Sequence, residues 1–193
     1  AINEGVKGNI QKQKRMIIDF MQKAHKKHFR FLEAKASFSL GKYYINSADY
    51  KQAMAYLEKA GKIFREEGYE VKYFETNISR GINSYWMEDY QKALDYFHWT
   101  RNFSEKNNYV KCYANSLLNL AEAHLFIEGN QDSAHYYFNS FLKDKENADI
   151  RDIFNCYWSL EEYYIQQNNN DSAYHYLKLA YQVDTEIKEG RRT

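Results

Sequence analysis

The chain of 193 residues contains no proline and only eight glycines. A protein of average composition has roughly 5% proline and 7% glycine, so both residues are scarce here. Proline and glycine break chains into tight turns, bulges and sandwich corners. Their scarcity argues against a multistranded β protein, a collagen-like chain and a flexible low-complexity chain.

The chain also lacks an excess of charge and a long apolar run. Its 27 Lys and Arg against 26 Asp and Glu leave a net charge of +1, which is no basis for whole-chain binding to nucleic acid or membrane. No apolar run approaches the roughly 18 residues that cross a bilayer, and no signal-peptide core is visible. We expect no membrane span in this segment. Because the chain begins with Ala1, it is compatible with a fragment or a processed product.

Cysteine is rare as well, and motifs for catalysis are missing. The only two cysteines, Cys112 and Cys156, exclude a disulfide scaffold, and we expect two buried free thiols. The sequence has no phosphate-binding loop, dinucleotide fingerprint, zinc-protease motif or nucleophile elbow. His25 and His28 are one helical turn apart, but the lysines around them would repel a cation. We therefore expect no enzyme activity, no catalytic residue, no metal site and no cofactor.

What the chain has in excess is aromatic residues: 19 Tyr, 12 Phe and 3 Trp. Many of them belong to a motif that occurs four times, in which an Asp is followed by an Ala and, three positions after the Ala, by a tyrosine. The four alanines recur at a nearly constant spacing and are Ala53, Ala93, Ala134 and Ala173. Four copies at nearly one spacing predict an internal repeat.

Each copy has the pattern of a helical hairpin. Apolar residues at helical spacing precede each Asp, as with Leu117, Leu120 and Ala121 in the third copy. A short polar turn follows, and we expect the Asp to cap the second helix. The small Ala lets the two helices approach closely, and the tyrosine fills the space beside it. Such hairpins cannot bury an apolar face alone, so they are expected to stack.

Over about residues 30–188 this pattern resembles the tetratricopeptide repeat (TPR). The first copy has residues at the spacing of that family: Leu40, Gly41, Tyr44, Ala53, Leu57 and Ala60. Three features depart from the family: Glu161 replaces a small residue, the third copy needs one extra residue, and no copy has the usual proline. The unit is also longer than the usual one of the family. Lengthened repeats of this kind are similar to those of bacterial regulators, including Rap/PlcR-like peptide receptors and the TPR sensor segments of kinases and transcription regulators.

The resemblance implies an all-α fold, a right-handed superhelical stack of TPR-like hairpins (an α-solenoid) with about nine helices. Residues 35–193 are expected to form one continuous domain of four repeats, at about 30–68, 69–108, 109–147 and 148–188. A helix within residues 1–34 would be a cap or half repeat. Up to residue 35 the chain has nine Lys and Arg against three acidic residues, which indicates either a solvated face or a patch for a phosphate group, an acidic partner or another copy.

In TPR-like stacks the first helices of the hairpins line a concave groove, and the repeat alignment transfers this role to thirteen residues. They are Lys35, Phe38 and Lys42 in the first copy, Glu75, Ile78, Ile82 and Tyr85 in the second, Asn115, Leu118 and Glu122 in the third, and Asn155, Trp158 and Glu162 in the fourth. Asparagine amides can bond both the N–H and the C=O of an extended peptide, and aromatic side chains supply apolar anchors. The gradation from lysine to glutamate suits a peptide with its acidic end at the first copy.

The resemblance thus implies a non-catalytic module that binds a protein or peptide, as the sensor or interaction segment of a larger bacterial transcription regulator or signalling kinase. One alternative is a structural scaffold that self-associates, for instance as a homodimer. Another is a cytoplasmic quorum-peptide receptor of the Rap/PlcR type. Direct contact of this segment with nucleic acid is not expected, because no recognition helix with a partner helix accompanies the basic segment. The compartment, cytoplasmic or extracytoplasmic on a membrane-anchored protein, stays open.

Overall fold

The computed structural model describes residues 2–127 and 129–190, and in these ranges it contains nine α-helices, one short 3-10 helix at Lys145–Asn147 and no strand. The helices are α1 (Ile2–Lys26), α2 (Arg30–Asn46), α3 (Tyr50–Glu66), α4 (Glu70–Trp86), α5 (Tyr90–Lys106), α6 (Val110–Leu125), α7 (Gln131–Lys143), α8 (Ile150–Gln166) and α9 (Asn170–Lys188). The predicted all-α fold with about nine helices is confirmed.

The chain divides into two compact units, the N-terminal unit Ala1–Asp89 with α1 to α4 and the C-terminal unit Tyr90–Thr193 with α5 to α9. The predicted second repeat, about residues 69–108, therefore has its first helix in one unit and its second helix in the other. The predicted repeat boundaries and the single continuous domain stay predictions.

The turns between the first six helices share one backbone conformation but no common residue type. A residue with a positive φ occurs at a constant interval: His28 (56°), Ala48 (56°), Gly68 (75°), Glu88 (61°) and Asn108 (53°). Only one of these residues is a glycine, although the left-handed region favours glycine. The chain therefore ends helix after helix at the same interval with little help from residue type.

Backbone hydrogen bonds explain how these turns are held. The N–H of Asp49 donates to the carbonyl of Tyr44 at 2.9 Å, and the N–H of Ala48 donates to that of Ile45 at 3.0 Å. The bond that spans five residues is repeated after α3, where the N–H of Tyr69 donates to the carbonyl of Phe64 at 2.8 Å. This is the Schellman arrangement, which satisfies the last carbonyls of a helix.

The residue after the left-handed position alternates between aromatic and acidic along the chain. It is Phe29, Tyr69 and Tyr109 where a first helix of a predicted hairpin begins, and Asp49 and Asp89 where a second helix begins. Tyr69 packs its ring on Phe31 at a centroid distance of 4.6 Å. This alternation from one turn to the next underlies the repeat.

The predicted aspartate caps are correct in one hairpin and displaced in two. Asp49 accepts a hydrogen bond from the N–H of Gln52 at 3.2 Å, as expected for a capping side chain. In α9 the cap is Asn169, which accepts from the N–H of Ser172 at 3.1 Å, whereas Asp171 lies inside the first turn. Asp132 likewise lies inside α7, which begins at Gln131. In these copies the helix starts earlier than the motif suggested.

The tyrosine of the repeated motif stacks on a ring of the first helix in three hairpins. Tyr56 of α3 stacks on Tyr44 of α2, and Tyr176 of α9 stacks on Tyr164 of α8, both at centroid distances of 5.5 Å. Tyr137 of α7 stacks on the imidazole of His124 of α6, also at 5.5 Å. The prediction that these tyrosines fill the space between the two helices is confirmed for these pairs.

Small residues permit the close approach of α2 and α3 in the N-terminal unit. Ala53 and Leu57 are fully buried, and a Cβ atom added at Gly41 would lie only 2.6 Å from Cδ2 of Leu57. The same atom would be 3.4 Å from the carbonyl oxygen of Ala53. Gly41 is therefore required by contact between helices, because its φ is not one that demands glycine.

A buried carboxylate ties three helices of this unit together. Glu33 of α2 is 4% exposed, and its carboxylate lies 2.8 Å from Nζ of Lys59 in α3 and 3.0 Å from Nδ1 of His25 in α1. Burial alone would raise the pKa of Glu33, but the hydrogen bonds from Lys59 and His25 outweigh it and lower the pKa. His25 thus acts as a structural partner of Glu33.

The C-terminal unit has an extensive apolar core. Phe138 and Phe141 of α7 and Leu120 of α6 are fully buried. Cys156 is fully buried, as predicted, whereas Cys112 is only half-buried. Burial raises the pKa of the Cys156 thiol well above its ordinary value, which keeps it protonated.

Substituting Gly41 with alanine tests the contact between α2 and α3. We expect G41A to lower the free energy of unfolding by about 1 to 2 kcal/mol, because overpacking of a full core exceeds the gain in helix propensity. Urea unfolding measures this difference. The double variant G41A/L57V should recover part of the loss, since it shortens the side chain that the new methyl group meets. An unchanged or higher stability of G41A would contradict the close approach.

Candidate functional site

The predicted groove residues of the third and fourth copies come together in the C-terminal unit, where α6 packs against α8. We define the α6–α8 surface by the polar and aromatic side chains of these two helices. They are Asn115, Asn119 and Glu122 on α6, and Asp152, Asn155, Trp158, Ser159 and Glu162 on α8.

Two hydrogen bonds join the helices across this surface. The hydroxyl of Ser159 donates to a carboxylate oxygen of Glu122 at 2.8 Å. The side-chain amide of Asn115 donates to Oδ2 of Asp152 at 3.2 Å, and its own Oδ1 accepts from the amide of Asn119 at 2.9 Å. The polar side chains therefore form two hydrogen-bonded groups, Ser159 with Glu122 and Asn115 with Asp152 and Asn119, which we call together the polar network and in which the bonds restrict the orientation of the side chains.

The network includes three residues that sequence reasoning missed: Asn119, Asp152 and Ser159. Each lies about one helical turn from a residue that the repeat alignment had selected, since Asn119 follows Asn115 by four positions and Ser159 follows Asn155 by four. Helical periodicity alone puts such residues on one face. A search of the whole face instead of equivalent repeat positions would have found them.

Two carboxyl groups of this surface, those of Glu122 and Asp152, have raised pKa values. Burial raises the pKa of Glu122 to about 7; the hydrogen bond from Ser159 opposes this rise and the charge of Asp152 adds to it. Burial also raises the pKa of Asp152, against the hydrogen bond from Asn115. Within the described residues neither carboxylate forms an ion pair with Lys, Arg or His.

Two further predicted residues are accessible from outside. Asn155 is exposed, and Trp158 is 49% exposed with its ring 6.0 Å from that of Phe154. Glu162 is half-buried and accepts a hydrogen bond from the amide of Gln166 at 3.2 Å. Leu118, by contrast, is only 3% exposed and belongs to the core of the unit. The α6–α8 surface thus combines a polar floor with one exposed indole.

In the N-terminal unit the predicted groove residues lie on α2 and α4, which also contact each other. Lys35 and Lys42 are exposed, and their ammonium groups lie 5.6 Å and 5.9 Å from the ring centroids of Phe31 and Phe38. The carboxylate of Glu75 pairs with Nζ of Lys72 at 2.7 Å. The other predicted groove residues of α2 and α4 are half-buried; they are Phe38, Glu75, Ile78, Ile82 and Tyr85. That the thirteen residues line one groove stays a prediction.

Among residues 11–127 and 129–190, whose side chains the structure describes, no three His, Cys, Asp or Glu residues are grouped so that they could hold a metal ion. In the same ranges no helix combines the length and apolarity needed to span a bilayer.

Solved structures with the same arrangement of helices are known. The apo form of RapI superposes on 94% of this chain with a TM-score of 0.69 and 18% identity, and this chain spans 64% of RapI. BtubC from P. vanneervenii matches 95% of the chain with a TM-score of 0.77 and 16% identity, over 76% of its own length. Aspartyl phosphate phosphatase F from Bacillus subtilis matches 94% of the chain with a TM-score of 0.75 and 17% identity, and this chain spans 50% of that protein.

These neighbours are helical-repeat proteins with TPR-like hairpins, and the chain has their fold class, an all-helical repeat solenoid. No protein-family model matches the sequence. No curated protein matches it either. At identities below one fifth, the likeness establishes the fold and leaves function to be argued from the residues.

Replacing Glu122 with glutamine tests the energetics of the polar network. The carboxyl group of Glu122 has an ordinary pKa of 4.5, and in the folded chain its pKa is about 7. Between these two pH values the folded chain therefore binds more protons than the unfolded chain, and the free energy of unfolding falls as pH rises. Gln avoids this loss while it keeps an acceptor for Ser159. We expect E122Q to exceed the wild type by about 1 to 2 kcal/mol above pH 7, and the difference to shrink towards pH 4.5.

Urea unfolding of both proteins across this pH range checks the prediction. The variant S159A serves as a second probe, because it removes the hydroxyl that lowers the pKa of Glu122. Its stability should therefore fall more steeply with pH than that of the wild type. Parallel pH profiles of E122Q and the wild type would show that Glu122 is not protonated in this way.

Proposed function

We propose that the chain is a non-catalytic TPR module that binds an extended peptide or a partner segment through the α6–α8 surface. The observation that carries the proposal is the pair of hydrogen bonds between the two helices, from Asn115 to Asp152 and from Ser159 to Glu122, on the same surface as the exposed Trp158. A purely structural contact between helices would not need an exposed indole at this place.

The amides suit the backbone of a bound peptide. Asn155 is exposed and carries both a donor and an acceptor, so it can bond the N–H and the C=O of a single residue of an extended peptide, which point to the same side of the chain. The orientation of Asn115 is fixed by its bonds to Asp152 and Asn119, which lowers the entropic cost of binding. Such bonds recognise an extended main chain independently of its sequence.

Side-chain preference of the peptide would come from Trp158 and the carboxylates. Aromatic residues are frequent anchors in interfaces because they bury a large apolar area with few rotatable bonds. The carboxylates of Glu122 and Asp152, which lack a cationic partner among the described residues, favour donors or cationic groups on the ligand. In the N-terminal unit, exposed Lys35 and Lys42 would favour acidic groups.

The wider context is part of the same proposal. We place the module in the sensor or interaction segment of a larger bacterial regulator, a transcription regulator or signalling kinase, since Rap-type proteins are among its structural neighbours. A cytoplasmic quorum-peptide receptor of the Rap/PlcR type is a narrower version of this idea.

A self-associating scaffold is the competing function. It is favoured by one observation: the basic helix α1 exposes Met16 (63%) and Phe20 (47%), an apolar pair that a second copy could cover. Light scattering at low and high salt separates the two. A monomer at both salt concentrations would remove the scaffold, whereas a dimer would favour it, with salt-insensitive association indicating the apolar pair and salt-sensitive association indicating the basic face.

The binding proposal predicts that W158A/N155A loses peptide affinity with little change in melting temperature, because both side chains are exposed. Peptides selected from a displayed library of random sequences against the wild-type chain supply the probe. Fluorescence polarisation should show an affinity loss of at least about tenfold, the effect of roughly 1.4 kcal/mol.

The matched control is Y181A, which removes an aromatic ring that is 61% exposed on α9, a helix that contributes no residue to this surface. Its affinity should equal that of the wild type. Equal affinities of W158A/N155A and the wild type would refute the assignment of the α6–α8 surface, and failure to select any peptide would argue against peptide binding by this chain.

A further inference from the structure

A cleft between α3 and α4 in the N-terminal unit has features that peptide binding at the α6–α8 surface does not explain. Its volume is about 440 Å³, within the range of small-molecule sites. Of its six lining residues, three are cationic and one is anionic. The lining residues are Gly61, Lys62, Arg65 and Glu66 of α3 and Tyr73 and Arg80 of α4.

The guanidinium group of Arg80 is held firmly at this cleft. Its Nη2 donates to the main-chain carbonyls of Leu57 and Glu58, both at 3.3 Å, and Nη1 donates to Oδ1 of Asn77 at 3.0 Å. The group lies in the space left by the missing side chain of Gly61, where an added Cβ atom would be 2.5 Å from Nη2. The backbone at Gly61 and the side chain of Arg80 are therefore fitted to each other.

The charge of this group is not neutralised by the protein. Within the described residues, no carboxylate forms an ion pair with Arg80 or with the exposed Arg65. The Nε atom of Arg80 is buried and has no hydrogen-bond partner. A guanidinium that is partly removed from water without an anion is costly, which points to a missing counter-charge.

The one carboxylate in the lining does not supply that counter-charge. Glu66 is already engaged by Arg30, which bonds one of its oxygens, and its other oxygen lies 4.0 Å from Nζ of Lys62. Lys62 itself is 77% exposed in its side chain. The cleft therefore retains an excess of positive charge on side chains that reach it from two helices.

We propose that this cleft binds a small, multiply charged oxyanion, the phosphate or carboxylate groups of a soluble compound. Arginine presents paired N–H donors in a geometry that matches two oxygens of such a group, and charge-assisted bonds of this kind are the strongest in proteins. Arg65 and Lys62 contact the ligand from the open side, and Arg80 supplies a fixed positive charge at the base. The site is independent of the peptide-binding proposal, because it shares no residue with the α6–α8 surface.

Isothermal titration of the full chain with pyrophosphate and, separately, with citrate tests the proposal at low ionic strength. We expect one of the two anions to bind with a stoichiometry of one, and the comparison assigns the ligand to phosphate or carboxylate chemistry. In R65Q the affinity should fall roughly tenfold or more, because an exposed guanidinium is removed without opening the core. The control K51Q removes a charge from the far end of the same helix, well before Gly61, and should change the affinity less than about twofold.

The variant G61A provides a test that leaves every charge in place. Its methyl group must displace the guanidinium of Arg80, so affinity should fall although the net charge is unchanged. Circular dichroism verifies that the variant is folded. Absence of binding by both anions, equal losses in K51Q and R65Q, or wild-type affinity in a folded G61A would each overturn the proposal. None of these results depends on whether the chain binds a peptide.

Discussion

The structure depends on one constraint on its backbone: a helix ends where a single residue turns left-handed and the next N–H reaches back to the helix. At Ala48 and Glu88 this conformation is adopted by residues that do not favour it, yet the turns form the same two backbone hydrogen bonds as the turn at Gly68. A non-glycine residue at positive φ costs of the order of 1 kcal/mol, so packing of the helices on each side must compensate. Over the first six helices, the constant interval between these turns sets the length of the helices.

The same contacts recur because the motif of each hairpin places the same residue types at equivalent positions. A ring of a first helix and the tyrosine of the repeated motif face each other at the same distance in three hairpins, as between Tyr44 and Tyr56. Small residues such as Gly41 and Ala53 lie where α2 and α3 are in closest contact. Most aromatic residues in this seam are thus needed for packing, which leaves the exposed Trp158 as a distinctive feature of the α6–α8 surface.

The two candidate sites lie in separate units and differ in their charged groups, which are carboxylates in one and guanidinium and ammonium groups in the other. At the α6–α8 surface, burial raises the pKa of Glu122 to about 7, so that its charge depends on small changes of environment. At the cleft of the N-terminal unit, the guanidinium of Arg80 keeps its charge and is positioned by carbonyls and by the absence of a side chain at Gly61. The first arrangement suits amides and donors of a peptide, and the second suits an oxyanion. Both depend on polar groups that the repeat pattern does not specify.

The sequence alone determined the all-α class, the approximate number of helices, the hairpin pattern and the seam of alanine and tyrosine, because these follow from periodicity along one chain. The resemblance to the tetratricopeptide repeat, applied through the repeat alignment, selected Asn155 and Trp158, and both side chains are exposed in the structure. The sequence did not show that Glu33 would be buried between Lys59 and His25, nor that Arg80 would lie against Gly61. These pairings join residues from different helices, and only the tertiary structure decides which side chains meet, which are removed from water, and therefore which charges are left without a partner.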